Sequence, residues 1–452
     1  MREQVKRTFD MTNRKMRGTK NNNLAREKNK RNHDDVSITS TTSSTPKRNI
    51  KNLENVLILQ GGGSLGAFGC GVFKSLVKRN LKIDIVAGTS IGGVNAAIIA
   101  GSRDQDHSEQ LLEQFWLELT DGFVDLSIDF PPSYFSERRF IGQFLPSYYN
   151  SLFGGKEEVD DQHLSVNEKI KIKQLRSFYS SAIFGNNKMF KPRWSLEYAK
   201  SDPEYFTPQK WTYLYDHSPL AKTLDKYVDY KKLNPTGNPN ARLIITATNL
   251  LNSQALVFDS SKQQITAKHI LAASGYPLYN FPWIEVENGV YAWDGGLLSN
   301  TPLREAIDAS PVNDKWVFLV ENYPKKIDTL PANIPEVYHR ARDIMFCDKT
   351  EHNVTMSKLI TRYLQYIDEL YQIVETHADH LRMNKDQLEK IRRKYKRYKE
   401  DHGTEIKKIF YISREEPFPH IYENADFSPE TIKSSIKEGE AKTNEALRRL
   451  ES

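Results

Sequence analysis

The chain has 452 residues, enough for one large α/β domain with elaborations or for two domains of ordinary size, and its 38% hydrophobic and 27% charged residues exclude a protein dominated by disorder. The net charge of +6 sits almost entirely in residues 1–50, which hold thirteen Lys/Arg against five Asp/Glu and leave −2 for the remainder; the basic character belongs to a tail, and no nucleic-acid partner is expected. No apolar run reaches the roughly 18 residues a bilayer span needs, and Cys70 and Cys347, both in helical patterns, argue for free thiols and a reducing compartment.

Residues 1–50, rich in Asn, Lys, Arg, Ser and Thr, cannot repay ordering entropy by burial and read as a disordered tail. Charges at Arg2, Glu3, Lys6 and Arg7 lead into no apolar run, so the secretory signal pattern fails. A cytoplasmic protein is predicted, with peripheral membrane contact left open. A core is expected over residues 51–335. It opens on a strand at Val56 to Gln60, a glycine loop, and a helix carrying Leu65, Phe68, Val72, Phe73, Leu76 and Val77 at helical spacing. A second strand at Ile83 to Ala87 follows, then the turn GTSIGG and the helix VNAAIIA, apolar nearly all round and so expected beneath a sheet.

Between residues 120 and 210, FPPSYF, FLPSYYN, SLFGG and MFKPRW lack a clean period and predict an insertion or lid. Its aromatics, from about Tyr134 to Trp194, suit either a lipid surface or ordinary packing. Alternation resumes with RLIITATNL, ALVFD, a helix around His269 to Ala273, short strands at WIEV and VYAW, and KWVFLVE. Residues 336–452 read as a helical extension that returns to the core. Met356, Leu359, Ile360, Tyr363, Leu364, Ile367, Leu370, Tyr371 and Val374 form a helical stripe that needs a packing surface; KKIFYIS reads as a strand and Thr431 to Leu450 as a closing helix. The expected class is α/β, three layers around a mostly parallel sheet with helical insertions.

Three motifs carry chemistry. Gly88-Thr89-Ser90-Ile91-Gly92 has the Gly-x-Ser-x-Gly form with strand before and helix after, the setting of a nucleophile elbow, where Gly88 and Gly92 let strand and helix approach. Gly61-Gly62-Gly63-Ser64-Leu65-Gly66 places backbone N–H groups where an oxyanion would need them; Gly61, Gly62, Gly63 and Gly66 are the candidates. Asp294-Gly295-Gly296 holds an acid at a tight turn after a short strand, a common hairpin signal when taken alone. A serine nucleophile usually works with a histidine base, but His217 in YDHSPL and His269 in a helical stretch read as structural, so a pair without histidine fits better.

The same glycines also match Gly-x-Gly-x-x-Gly, with Asp84 about 20 residues on, as a dinucleotide site requires. Against this reading, the next strand runs into a serine elbow, and Asp84 falls inside the strand rather than at its carboxyl end.

GGGSLG, GTSIG and DGG, in this order, resemble the patatin-like phospholipase family. The likeness extends through LQGGGSLGAFGCGVFKSL, SPLAKTLDKYVD and HILAASG to DGGLLSNTPL, and the C-terminal stretch NADFSPETIKSSIKEGEAK resembles extended prokaryotic members. The resemblance implies a lipid acyl hydrolase in which Ser90 is the nucleophile, Asp294 its activating acid, and the Gly62 and Gly63 amides the oxyanion donors, with no metal or organic cofactor. Its partners are then lipid or acyl-ester substrates. Ser64 departs from the basic residue common after the glycines in plant members, and SGYPLYNFPW, with Tyr276, is bulkier than in relatives. Acyl transfer to another acceptor, or lipid binding without turnover, are the alternatives.

Overall fold

The computed structural model describes residues 52–124, 177–332, 334–347, 350–415 and 423–448. The predicted tail, and the FPPSYF, FLPSYYN and SLFGG part of the predicted insertion, lie outside the described residues.

In chain order the elements are β1 (Leu53–Leu59), α1 (Ala67–Lys78), β2 (Ile85–Thr89), α2 (Ile91–Ala100) and α3 (Ser108–Asp121), then the two-residue pair β3 (Lys191–Pro192) and β4 (Tyr215–Asp216), and α4 (Ser218–Leu224). There follow β5 (Arg242–Asn249), β6 (Ala255–Asp259), α5 (Ala267–Ser274), β7 (Ile284–Glu287), β8 (Val290–Asp294), α6 (Leu303–Ala309) and β9 (Asp314–Glu321). The last part holds α7 (Ile334–Cys347), α8 (Thr350–His377), α9 (Lys385–His402), β10 (Ile406–Ser413) and α10 (Pro429–Arg448).

Eight strands form one sheet in the order β10-β9-β1-β2-β5-β8-β7, with β6 on the other edge of β5. The first five run parallel; β6, β7 and β8 run antiparallel to their neighbours. The parallel strands read as continuous apolar runs because both faces are covered. Along β1, Leu57 and Leu59 join the core under α1, α2, α3, α5 and α10, whereas Val56 and Ile58 join the one under α6 and α8, the period-two alternation of a pleated strand. The three-layer α/β architecture expected from the sequence is therefore present, and KKIFYIS does return to the main sheet as β10.

Two details differ from the sequence reading, and one adds to it. Strand β2 starts two residues later than expected and runs through Gly88 and Thr89, so Asp84 precedes it. The Asp84 carboxylate accepts the Asn55 N–H at 2.9 Å, at the end of the sheet remote from the glycine loop, and cannot hold a ribose there. The apolar stripe of α8 is mostly exposed: Val354 and Leu364 are buried, but Met356, Leu359, Ile360, Tyr363 and Leu370 face solvent. That helix packs through a narrow edge, and Tyr371 stacks on Tyr395 of α9 with ring centroids 3.7 Å apart. Finally, α10 lies directly on α1, because a Cβ on Gly71 would strike the Ile436 carbonyl and one on Gly439 the Phe68 carbonyl.

Among the described residues no helix is long and apolar enough to cross a membrane, and no group of three or more His, Cys, Asp or Glu is placed to hold a metal ion. Cys70 is buried and Cys347 partly so, and neither is in a disulfide.

Candidate active site

Ser90 sits between β2 and α2 with φ 56 and ψ −130, a backbone state that costs a non-glycine residue on the order of 1–3 kcal/mol and persists only when its surroundings impose it. Glycine supplies part of that imposition. A Cβ on Gly88 would strike the Gly92 carbonyl, and one on Gly92 the Leu59 carbonyl, so strand, turn and helix pack at backbone contact. The Ser90 carbonyl accepts from Gly93 and Val94 N–H, and the Ser90 N–H donates to the Ala273 carbonyl at 3.1 Å. All of α2 is buried, and its positive end faces the serine.

Asp294 reaches the same place by a different strand. In β2, Thr89 lies opposite Thr246 of β5; in β8, Asp294 lies opposite Ala247, the next residue of β5. The other edge of β5 is occupied there by β6, so β2 and β8 meet end to end along a single edge, and residues 90 and 294 are neighbours although 204 positions separate them in the chain. The Asp294 N–H donates to the Gly275 carbonyl at 3.1 Å. The turn from Ala273 to Gly275 therefore grips both backbones.

Asp294 is 1% exposed. One oxygen, Oδ1, accepts the Gly296 N–H at 2.7 Å; the other, Oδ2, is buried and makes no hydrogen bond of ordinary geometry. Burial raises the Asp294 pKa to about 7, against the lowering effect of the Ser90 hydroxyl and the Gly296 N–H beside it. The hydroxyl is thus near enough to stabilise the carboxylate without an aligned hydrogen bond, as is common where a site tightens only around substrate. Gly295 admits no side chain, since a Cβ would lie 2.6 Å from the Thr246 carbonyl.

The four glycines of the first loop divide by role. Gly62 and Gly63 adopt φ of 151 and 59 and line the cavity beside Ser90 and Asp294. Gly61 does not serve as a free donor, contrary to the sequence expectation, because its N–H is taken by Asn300 Oδ1 at 3.0 Å. Gly66 does not line the cavity: a Cβ there would lie 2.9 Å from Ile91 and Trp116, and its carbonyl accepts from Asn95. Beneath the loop is a buried polar network that periodicity gave no hint of. Gln60 Nε2 donates to Thr301 Oγ1 at 2.8 Å and its Oε1 accepts from the Asn322 N–H at 2.9 Å, while Asn322 Nδ2 donates to the Gln60 and Gly61 carbonyls. A polar Gln closing an otherwise apolar strand was the available signal.

The cavity holds about 450 Å³ and is walled chiefly by apolar groups, among them Ile91, Met189, Phe190, Leu220, Phe281, Phe346 and Phe427. Met189 and Phe190 belong to the MFKPRW stretch, so this part of the expected insertion forms wall and core. His217 also lines the cavity; its Nε2 is bonded to the Leu271 carbonyl at 2.9 Å, its Nδ1 is buried without a partner, and burial lowers its pKa. His269 instead caps α5, accepting the Thr266 N–H. A chain-like apolar group fits this space, with a hydroxyl and a carboxyl at its polar end.

The profile of the patatin-like phospholipase family matches residues 57–307, more than half of the chain. This chain belongs to that family. It is 43% identical over 60 residues to a triacylglycerol lipase, SDP1L, of Arabidopsis thaliana; these residues are 13% of this chain and only 7% of that enzyme. Among solved structures it is similar to VipD from Legionella pneumophila, at 16% identity and a TM-score of 0.36 over 91% of this chain and 72% of that one. It is also similar to ExoU of Pseudomonas aeruginosa, at 17% identity and a TM-score of 0.24 over 65% and 47%.

Proposed function

We propose that this protein is a lipid acyl hydrolase that works through Ser90 and Asp294. In its ionised form Asp294, through Oδ2, accepts the Ser90 proton as Oγ attacks the ester carbonyl. The Gly62 and Gly63 amides receive the developing oxyanion, a contribution typically worth ~10²–10³ in rate for each donor. Collapse expels the alcohol with the proton from Asp294, leaving an acyl group on Ser90. Water then attacks that ester as its proton passes to Asp294, and collapse breaks the acyl–Oγ bond, releasing the fatty acid while Asp294 returns the proton to Ser90 Oγ. The acyl chain occupies the apolar cavity.

The observation that carries this reading is the end-to-end meeting of β2 and β8 on β5, which sets a hydroxyl in a strained elbow beside a buried, half-satisfied carboxyl at the polar end of an apolar cavity. Ser90→Ala is expected to lower turnover of a chromogenic acyl ester at least 10³-fold while the melting temperature stays close to the parent's. Undiminished turnover in the purified variant would refute the assignment.

A further inference from the structure

We infer that the segment Glu423–Phe427, far outside the matched family region, positions the Gly62–Gly63 donor loop, with Ser64 and Glu423 as positioning residues. This rests on the Ser90–Asp294 reading above and extends it to the C-terminal part of the chain.

The contacts are specific. Ser64 Oγ donates to the Glu423 carbonyl at 2.7 Å. Gly63 faces the next peptide so closely that a Cβ would strike the Asn424 carbonyl. Asn424, Ala425 and Phe427 then continue along the cavity wall. The segment is itself anchored from three sides. The Glu423 carboxylate is bonded to Arg342 at 3.0 Å and Arg414 at 2.8 Å, all three being at most about a tenth exposed in their side chains. Arg414 also donates to the Asn322 carbonyl at 3.0 Å, joining this ion cluster to the residue that holds the Gln60 and Gly61 carbonyls. On the far side, Ser181 Oγ donates to the Ala425 carbonyl at 2.7 Å, and Ser177 to Asp426.

Such an arrangement answers a physical problem. Two consecutive glycines with positive φ have more backbone freedom than any other pair, yet an oxyanion hole works only if its donors are fixed before the charge appears. Ser64, placed right after them, converts the loose turn into one pinned against a rigid segment. The charges that anchor the segment, Arg342 and Arg414, come from the C-terminal part of the chain.

The test compares the whole protein with Ser64→Ala, Glu423→Gln and the double variant, reading kcat and KM on p-nitrophenyl butyrate together with the melting temperature. Loss of donor alignment predicts a fall in kcat of about 10- to 100-fold in each single variant, with KM within about twofold and a double variant no worse than the weaker single one, as coupled positions require. Glu423→Gln removes the carboxylate that Arg342 and Arg414 share, leaving Arg342 its pair with Asp343 at 2.7 Å, and is expected to melt lower; Ser64→Ala removes one hydrogen bond and should melt only slightly lower, so it decides if the other fails to fold. Ser90-dependent turnover left at the parent rate by Ser64→Ala, or a rise in KM at unchanged kcat, would overturn the positioning role alone. Turnover that survives Ser90→Ala would instead overturn the dyad, and this inference with it.

Discussion

At the level of single residues, the Asp294 carboxyl is the group whose chemistry the fold alters most. Burial lifts its pKa from an ordinary 3.8 to about 7, which suits a base that must be ionised near neutrality yet keep affinity for a proton. If it serves as the base, kcat/KM rises with pH through about 7 and levels off above; a profile flat from pH 5 to 8 would contradict that role. The same shift bears on stability with opposite sign. An acid whose folded pKa is raised keeps its proton in the folded chain after the unfolded chain has lost it, so stability falls as pH climbs from about 4 to about 7. Asp294→Asn, which removes the buried charge and retains an acceptor for the Gly296 N–H, is therefore expected to be more stable than the parent at pH 8, by roughly 1–3 kcal/mol, and to match the parent at pH 4. A melting curve at each pH checks it.

Elements decide where those residues stand. Local patterning marked β1, β2 and α2 because a two-faced apolar strand and an apolar helix leave little else for the chain to do. It did not reveal that β8 would pair with β5 just past the end of β2, since antiparallel register over 40 residues of separation depends on packing rather than on local propensity. Nor did it show the Ala273–Gly275 turn holding the backbones of both Ser90 and Asp294, or Asn300 occupying the Gly61 N–H, because an amide bonded across 239 positions leaves no periodic trace. The elbow, in contrast, was legible through its glycines. Gly88→Ala drives a methyl group onto the Gly92 carbonyl, so β2 and α2 must separate. The expected outcome is a loss of about 2–4 kcal/mol in chemical denaturation, with little turnover remaining; an unchanged midpoint would show that the approach is less tight than described.

For the molecule as a whole, the family region and the C-terminal part are one structure. Strand β10 extends the parallel sheet beyond β9, α10 covers α1 at glycine-to-backbone contact, and residues 338–346 and 424–427 complete the cavity. Sequence reading placed the return of the chain to the sheet but not its arrival at the glycine loop, because the residues responsible, Arg342, Arg414 and Glu423, look like ordinary surface charges until the fold buries them together. The exposed stripe of α8 was misjudged for the related reason that amphipathic spacing states which residues share a face and not what covers it.

The central claim is that β2 and β8 bring one serine under the control of one buried acid. The most direct measurement treats the whole protein with a fluorophosphonate probe and maps the adduct by peptide mass spectrometry. The account predicts a single modified residue, Ser90, and loss of that modification in Asp294→Asn. An adduct on a different serine, or labelling of Ser90 that proceeds as fast without the Asp294 carboxylate, would contradict it.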